Sequence, residues 1–297
     1  MKPPPFGYHD PVTLGEALDL LARLDNAKLL AGGQSLMPML NFRLAAPDHI
    51  IDLNRVGGLG GIAFERDHLT IGAMTRQREI EFDAGIAKRL PLLAEALLNI
   101  GHRQTRNRGT LGGSLCHLDP AAELPCVAAT CDAVLTIAGG NGRRDIAFAD
   151  FPLTYMTPAI GEDEILVQVK FPLWPAEHGA AFVEFARRHG DFAVVAAAAL
   201  LLVDSEMRIV RASLTLAGLG SAPLRMGAVE RLLVGERASP DLFHAAGEMC
   251  RAIEANGDIH APAAYRQQLA AVLSRRALEL AHRRARPFTA PPGEAAA

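Results

Sequence analysis

Two stretches of the chain carry residue types and spacings suited to holding a charged ligand. The first, Arg108-Gly109-Thr110-Leu111-Gly112-Gly113-Ser114, puts three glycines and two hydroxyl residues into seven positions. Glycine lets a backbone approach a ligand closely, and consecutive exposed main-chain N–H groups make an anion cradle. The second, Leu29-Leu30-Ala31-Gly32-Gly33-Gln34-Ser35-Leu36, is an apolar run ending in a glycine pair, with a Gln-Ser pair and an expected helix start after it. A turn that opens a helix points its N–H groups one way, toward an anion. Two such loops on opposite sides of one dinucleotide would grip its diphosphate. Either loop alone is more often an ordinary turn.

Other chemistries find less support. There is no G-x-x-x-x-G-K-[ST] and no H-E-x-x-H, and Gly33-Gln34-Ser35-Leu36-Met37 lacks the final glycine of a nucleophile elbow. His102, His117, Asp119 and Glu123 flank the central loop as an acid–base set or as caps and surface groups. Arg103, Arg106 and Arg108 read as a small basic face, either solvated or a docking surface. Cys126 and Cys131 have the C-x4-C opening of a plant-type iron–sulfur motif, but the next ligand position holds Val134. The chain is therefore expected to carry no cluster, and its thiols to be reduced and mostly buried. Gly57 to Gly61 runs into a strand with no helix behind it, so it reads as a flexible joint and not as a dinucleotide fingerprint.

The elements around these residues are those of a 297-residue chain with 49% hydrophobic and 21% charged residues, enough for two or three packed units. A net charge of −3 argues against a nucleic-acid binder. The longest apolar run, Phe192 to Val203, has 12 residues, too few to cross a bilayer. The opening MKPPPFGYHDP has no apolar signal region, and a cytoplasmic location is expected. Thr13 and Glu16 form a capping box for a helix reaching about Leu24, and Ala27 to Ala31 and Ile50 to Leu53 read as short strands. Strands are expected at 62–64 and 68–72, and helices at 75–82, 91–100 and 121–130. A hairpin turns at 139–142, and a strand covers 164–171. Beyond the prolines around Trp174 come strands at 180–186, 193–203 and 207–217, then helices near 228–234, from Ser239-Pro240, and over 262–284.

Taken together, AGGQSLMPMLNFRL (31–44), RNRGTLGGSLCHLDPAAELP (106–125), GDFAVVAAA (190–198) and APAAYRQQLAAVLSRRAL (261–278) resemble the FAD-binding medium subunit of the molybdenum hydroxylases, the carbon monoxide dehydrogenase and xanthine dehydrogenase group. The resemblance runs from about Phe6 to Pro287. It implies an α+β fold: a two-part FAD-binding domain, made of a small α/β unit (1–57) and a mainly antiparallel β unit (58–176). A C-terminal antiparallel sheet with a helical bundle (177–287) and a disordered tail (288–297) would follow. It implies that Ala31, Gly32, Gly33, Gln34, Ser35 and Leu36 hold the diphosphate from one side and Thr110, Leu111, Gly112, Gly113 and Ser114 from the other, through main-chain N–H groups and the hydroxyls of Ser35, Thr110 and Ser114. Glu123 matches an acidic position that contacts the cofactor's sugar, and Ile100 and Leu166 match apolar FAD contacts. Phe192 stands where a tyrosine often shields the isoalloxazine ring, so stacking is kept and a phenol hydrogen bond is not. Gln34 replaces a histidine of some relatives.

The resemblance also implies partners: a small subunit with two [2Fe–2S] clusters and a large subunit with the molybdenum cofactor, assembled as a dimer of heterotrimers, with no nucleic acid and no membrane span. Substrate is then oxidised on another chain, and this one passes electrons from the clusters through FAD to an external acceptor. The chain shows no nicotinamide-binding fingerprint, which favours a quinone, cytochrome or other acceptor over NAD. A self-contained flavin oxidoreductase and a structural subunit without FAD are the competing readings.

Overall fold

A computed structural model describes residues 2–288. The expected tail at 288–297 lies outside the described residues, apart from Phe288. Contacts divide the chain into two compact units that interleave in sequence. One comprises the chain up to Asp83, Gly101–Asp119 and Asp132–Pro172; the other comprises Ala84–Ile100, Pro120–Cys131 and the chain from Leu173.

In the first unit, the strands Gly7–His9, His49–Asp52 and Ala27–Leu30 form a parallel sheet in that order. The helix Leu14–Arg23 opens with the expected capping box: Thr13 Oγ1 accepts from the Glu16 N–H, and the Glu16 carboxylate accepts from the N–H groups of Thr13 and Val12. A box of this kind satisfies helix-end donors that would otherwise lack partners. An antiparallel five-stranded sheet follows, ordered Ile62–Phe64, His68–Gly72, Ile165–Pro172, Val134–Gly139, Gly142–Ala147. Ala17, Leu21, Ile51 and Leu53 share a buried cluster with Ala138, Ile165 and Val167. The two sheets thus rest on one core. Gly57 to Gly61 is not the flexible joint expected: Leu59 is buried, and Thr75 Oγ1 both donates to the Gly61 carbonyl and accepts from its N–H. The α+β expectation holds here, with antiparallel sheet dominant.

In the second unit, Gly179–Ala186, Ala193–Val203, Ile209–Ala217 and Leu224–Arg225 form an antiparallel meander. Every residue of Ala193–Val203 is buried, which explains a strand that is apolar throughout instead of alternating. Val195, Ala197, Ala199 and Leu201 pack in a cluster with Ala270, Leu273, Ala277 and Ala281 of the helix Ala263–Arg284. On the opposite face, Ser213, paired with Leu200, donates to the Thr130 carbonyl at the end of the helix Glu123–Thr130. Helices at Gly227–Leu233 and Pro240–Arg251 complete the C-terminal bundle.

Candidate anion site at two glycine turns

The strand Ala27–Leu30 is followed by Ala31, and Gly32 to Ser35 turn the chain into the short helix Leu36–Asn41. Gly33 has φ +75°, left-handed backbone that a side chain would strain. The Gly33 and Ser35 carbonyls accept from Met37 and Met39, 3.1 Å each. Among the described residues, no acceptor faces the main-chain N–H groups of Gly32, Gly33, Gln34, Ser35 and Leu36. Ser35 occupies the N-cap position, yet its hydroxyl makes no capping bond. Five donors and a hydroxyl are left for something outside the chain.

The second turn is built differently. The stretch expected as a loop is two short helices, Arg103–Arg108 and Leu111–His117. Leu111 N–H donates to the Thr75 carbonyl (3.1 Å) and Gly112 N–H to the Ala73 carbonyl (2.8 Å). Gly113 N–H donates to Thr110 Oγ1 (3.0 Å), and Ser114 N–H to the Thr110 carbonyl (3.3 Å). This corrects the expectation that both turns offer main-chain amides: those from Leu111 to Ser114 are committed internally. Thr110 Oγ1 accepts from Gly113 and still has its own proton to donate. Leu111 and Gly112 are buried against the sheet, while Gly113 and Ser114 are partly exposed.

The two turns touch. A Cβ on Gly32 would lie 2.3 Å from the Arg108 carbonyl oxygen and 2.8 Å from Gly109 Cα. One on Gly113 would lie 3.3 Å from Ala31 Cβ. Main chain meets main chain, which only glycine at position 32 permits.

Residues that sequence reading missed surround the contact. Asn54 Nδ2 donates to the Ala31 carbonyl at 3.0 Å and to Asp52 Oδ1, and Asp52 Oδ2 accepts from the Tyr8 hydroxyl at 2.7 Å. Arg76 donates to Asn54 Oδ1 and to the Arg108 carbonyl. Burial, then the Arg108 charge, lowers the Arg76 pKa, but guanidinium remains charged at any working pH. The Arg76 guanidinium, bonded to the carbonyl that meets Gly32, therefore brings a positive charge to the turn, a field suited to a diphosphate.

The remaining expected residues are placed as follows. Leu166 is buried in the strand Ile165–Pro172, at the irregularity in its pairing with Val134–Gly139. Ile100, Glu123 and Phe192 belong to the second unit: Ile100 follows the helix Pro91–Leu97, Glu123 is buried in the first turn of Glu123–Thr130, and Phe192 is 60% exposed just before Ala193–Val203. The arginines do not form one basic face, because Arg106 is buried in an ion pair with Glu81 at 2.9 Å. Burial lowers the His117 pKa and pushes the Cys116 thiol up to about 12, so neither is primed as acid or nucleophile near neutrality. Among the described residues no cluster of three or more His, Cys, Asp or Glu has a metal-binding arrangement.

Residues 4–174 match the family described as FAD binding domain in molybdopterin dehydrogenase, and residues 180–281 match the CO dehydrogenase flavoprotein C-terminal domain. The chain is 40% identical to the 6-hydroxypseudooxynicotine dehydrogenase complex subunit alpha of Paenarthrobacter nicotinovorans, over 97% of this chain and 98% of that one. It is 37% identical to the carbon monoxide dehydrogenase medium chain of Hydrogenophaga pseudoflava, over 95% and 98%. A solved structure of carbon monoxide dehydrogenase from Hydrogenophaga pseudoflava, in a form lacking the Mo-pyranopterin moiety of the molybdenum cofactor, superposes with TM-score 0.93 at 36% identity, covering 96% of this chain and all of that one.

Proposed function

Since the chain belongs to the FAD-binding medium subunits of the molybdenum hydroxylases, we propose that it is the electron-transfer subunit of a heterotrimeric molybdenum-containing dehydrogenase. Membership makes it a flavoprotein subunit of an oxidoreductase with FAD as its cofactor. In the proposed assembly, substrate is oxidised on a large molybdenum subunit and a small [2Fe–2S] subunit carries the electrons. This chain stands between those clusters and an external acceptor, in a dimer of heterotrimers. No helix among the described residues is long and apolar enough to cross a membrane, and we place the complex in the cytoplasm.

The observation that carries the reading is the set of unengaged N–H groups from Gly32 to Leu36, with the Ser35 hydroxyl beside them and the Arg76 guanidinium on the neighbouring carbonyl. Such a donor set fits a diphosphate. FAD bound there would supply a redox centre able to take electrons singly from the clusters and pass them on singly or in pairs. The protein's own part is to bind it and fix its orientation. Gly32 to Leu36 would donate to the diphosphate, Thr110 and Ser114 would add hydroxyls from the second turn, and we propose Leu166, in the same unit, as a further cofactor contact. On this reading 1–57 and 58–176 are the FAD-binding subdomains and 177–287 is the C-terminal domain.

Purifying the chain tests this directly. The expected result is a yellow protein with noncovalent FAD near one per chain, and a melting temperature that rises when FAD is added to the stripped protein. A colourless chain whose melting ignores FAD would overturn the proposal. Capturing the native complex and weighing its subunits tests the heterotrimer separately.

A further inference from the structure

Within the turn, the carbonyls of Gly32, Gly33 and Ser35 accept from Gln34 Nε2, Met37 N–H and Met39 N–H, whereas the Ala31 carbonyl is held from outside it. A trans peptide is planar, so its C=O and N–H point opposite ways, and fixing one fixes the other. Among the described residues there is no cis peptide bond. The peptide joining Ala31 to Gly32 has its carbonyl held by Asn54 Nδ2 at 3.0 Å, so Gly32 N–H is aimed by a side chain 22 residues further along. The Asn54 amide cannot turn over. Its Nδ2 also donates to Asp52 Oδ1, its Oδ1 accepts from Arg76, and Asp52 is anchored by Asn54 N–H at 2.9 Å and by the Tyr8 hydroxyl. The other arm of Arg76 donates to the Arg108 carbonyl, the atom that a Cβ on Gly32 would strike.

We propose that Asn54 and Arg76 are a positioning pair for the FAD diphosphate: one planar amide and one guanidinium link the two glycine turns and turn the carbonyls of Ala31 and Arg108 away from the anion. The inference rests on the FAD reading above and adds what sets the affinity. A carbonyl dipole facing the diphosphate would repel it, so the pair acts on both turns by occupying those oxygens. Arg76 is suited to this because its fork reaches two acceptors at once, which a lysine ammonium on a flexible stem does less well. Neither residue is a catalytic group.

The test uses the full chain stripped of flavin and FAD titrations followed by the quenching of flavin fluorescence, with the melting temperature of the stripped protein measured alongside. Asn54→Leu and Arg76→Met are each expected to weaken FAD binding about tenfold, equivalent to ~1.4 kcal/mol. The double variant should be no more than about twofold worse than the weaker single variant, since either change breaks the same link. Arg76→Lys, which keeps the charge, should recover less than half of the loss on a logarithmic scale. At saturating FAD, where the bound diphosphate would protect the amides of 31–36, hydrogen exchange of that peptide should stay faster in Asn54→Leu than in the wild type. The pair is refuted if Arg76→Lys binds like the wild type, if the two losses multiply to about a hundredfold, or if melting falls while affinity and exchange stay put. Should a variant fold poorly, Arg76→Lys with the exchange measurement still decides. Wild-type protein that binds no FAD overturns the functional reading and the pair with it; wild-type binding matched by every variant overturns the pair alone.

Discussion

The turn at Gly32 and the turn at Gly112 have nearly the same composition and opposite bonding. In the first, five successive main-chain donors are unengaged and the N-cap serine makes no cap. In the second, the amides from Leu111 to Ser114 are all engaged, and the N-cap Thr110 closes on Gly113. The glycines differ in the same sense. Gly32 is small because another turn's backbone lies against it, whereas Gly112 is small because Ala73, just past the strand His68–Gly72, does, with Ala73 Cβ 2.6 Å from where a Cβ would sit. A Gly-Gly-hydroxyl pattern therefore marks close approach without saying whether a ligand or the protein makes it. On the proposed reading, the first turn supplies main-chain donors to the ligand, while the second holds it in place and offers hydroxyls only.

That division predicts which property each substitution damages. Gly32→Val drives a side chain into the Arg108 carbonyl, which can be relieved only by parting the turns. FAD affinity should fall at least a thousandfold, about 4 kcal/mol, in equilibrium titration. A variant that folds and binds FAD normally would erase the contrast. Next in size is the buried ion pair behind the second turn. Arg106→Met leaves the Glu81 carboxylate, whose side chain is 9% exposed, with only Arg78 at 3.3 Å, and should cost about 3 kcal/mol in denaturant unfolding at neutral pH. Hydrogen bonding from Arg106, helped by Arg78, holds the Glu81 pKa below its usual 4.5. The stabilisation is therefore full above that ordinary value and is lost as pH falls through the lower folded value. The gap between wild type and Arg106→Met should narrow in acid, and a constant gap would show that the pair is not its source.

Gly112→Ala should act on stability instead of affinity. Its methyl must displace Ala73 Cβ and the Ala73 carbonyl, an overpacking cost of about 2 kcal/mol, while the folded fraction titrates FAD like the wild type. Loss of affinity with normal melting would move Gly112 into the binding surface.

Much of this frame is legible in the sequence, and the illegible parts share a cause. Thr13 and Glu16, the 139–142 hairpin and the strand 193–203 announce themselves through neighbours close in sequence, and each stands in the structure as expected. Arg103–Arg108 has no apolar periodicity. It is helical because Arg106 reaches Glu81, 25 residues away, so the stretch reads as loop. Ala84–Arg89 is missed likewise, with only Ile86 fully buried to mark a face. The helix from Pro91 stops at Leu97, short of the expected Ile100, with Leu98 to Ile100 in tighter turns. As a link between the turns, Asn54 and Arg76 have no signature, because Ala31 lies 23 residues from Asn54, Arg76 lies 22 from it, and Arg108 lies 32 from Arg76. Glycine content reveals where backbones meet. The side chains that aim them are visible only after folding.

The smallest expected effects separate the turns most cleanly, because they compare two hydroxyls at equivalent N-cap positions. Thr110→Val removes an acceptor from Gly113 N–H while keeping the side chain's shape, so stability should drop by about 1 kcal/mol, the usual worth of a cap. Ser35→Ala removes a hydroxyl that caps nothing, so melting should not move. Its effect should appear only with ligand present, as about a threefold loss of FAD affinity, or ~0.6 kcal/mol, within the range of one hydrogen bond exchanged with water. Without ligand the two variants thus part: Thr110→Val shifts melting, and Ser35→Ala shifts nothing until FAD is titrated. If Ser35→Ala also lowered stability by ~1 kcal/mol, its hydroxyl would be a cap after all, and the first turn would be a scaffold like the second.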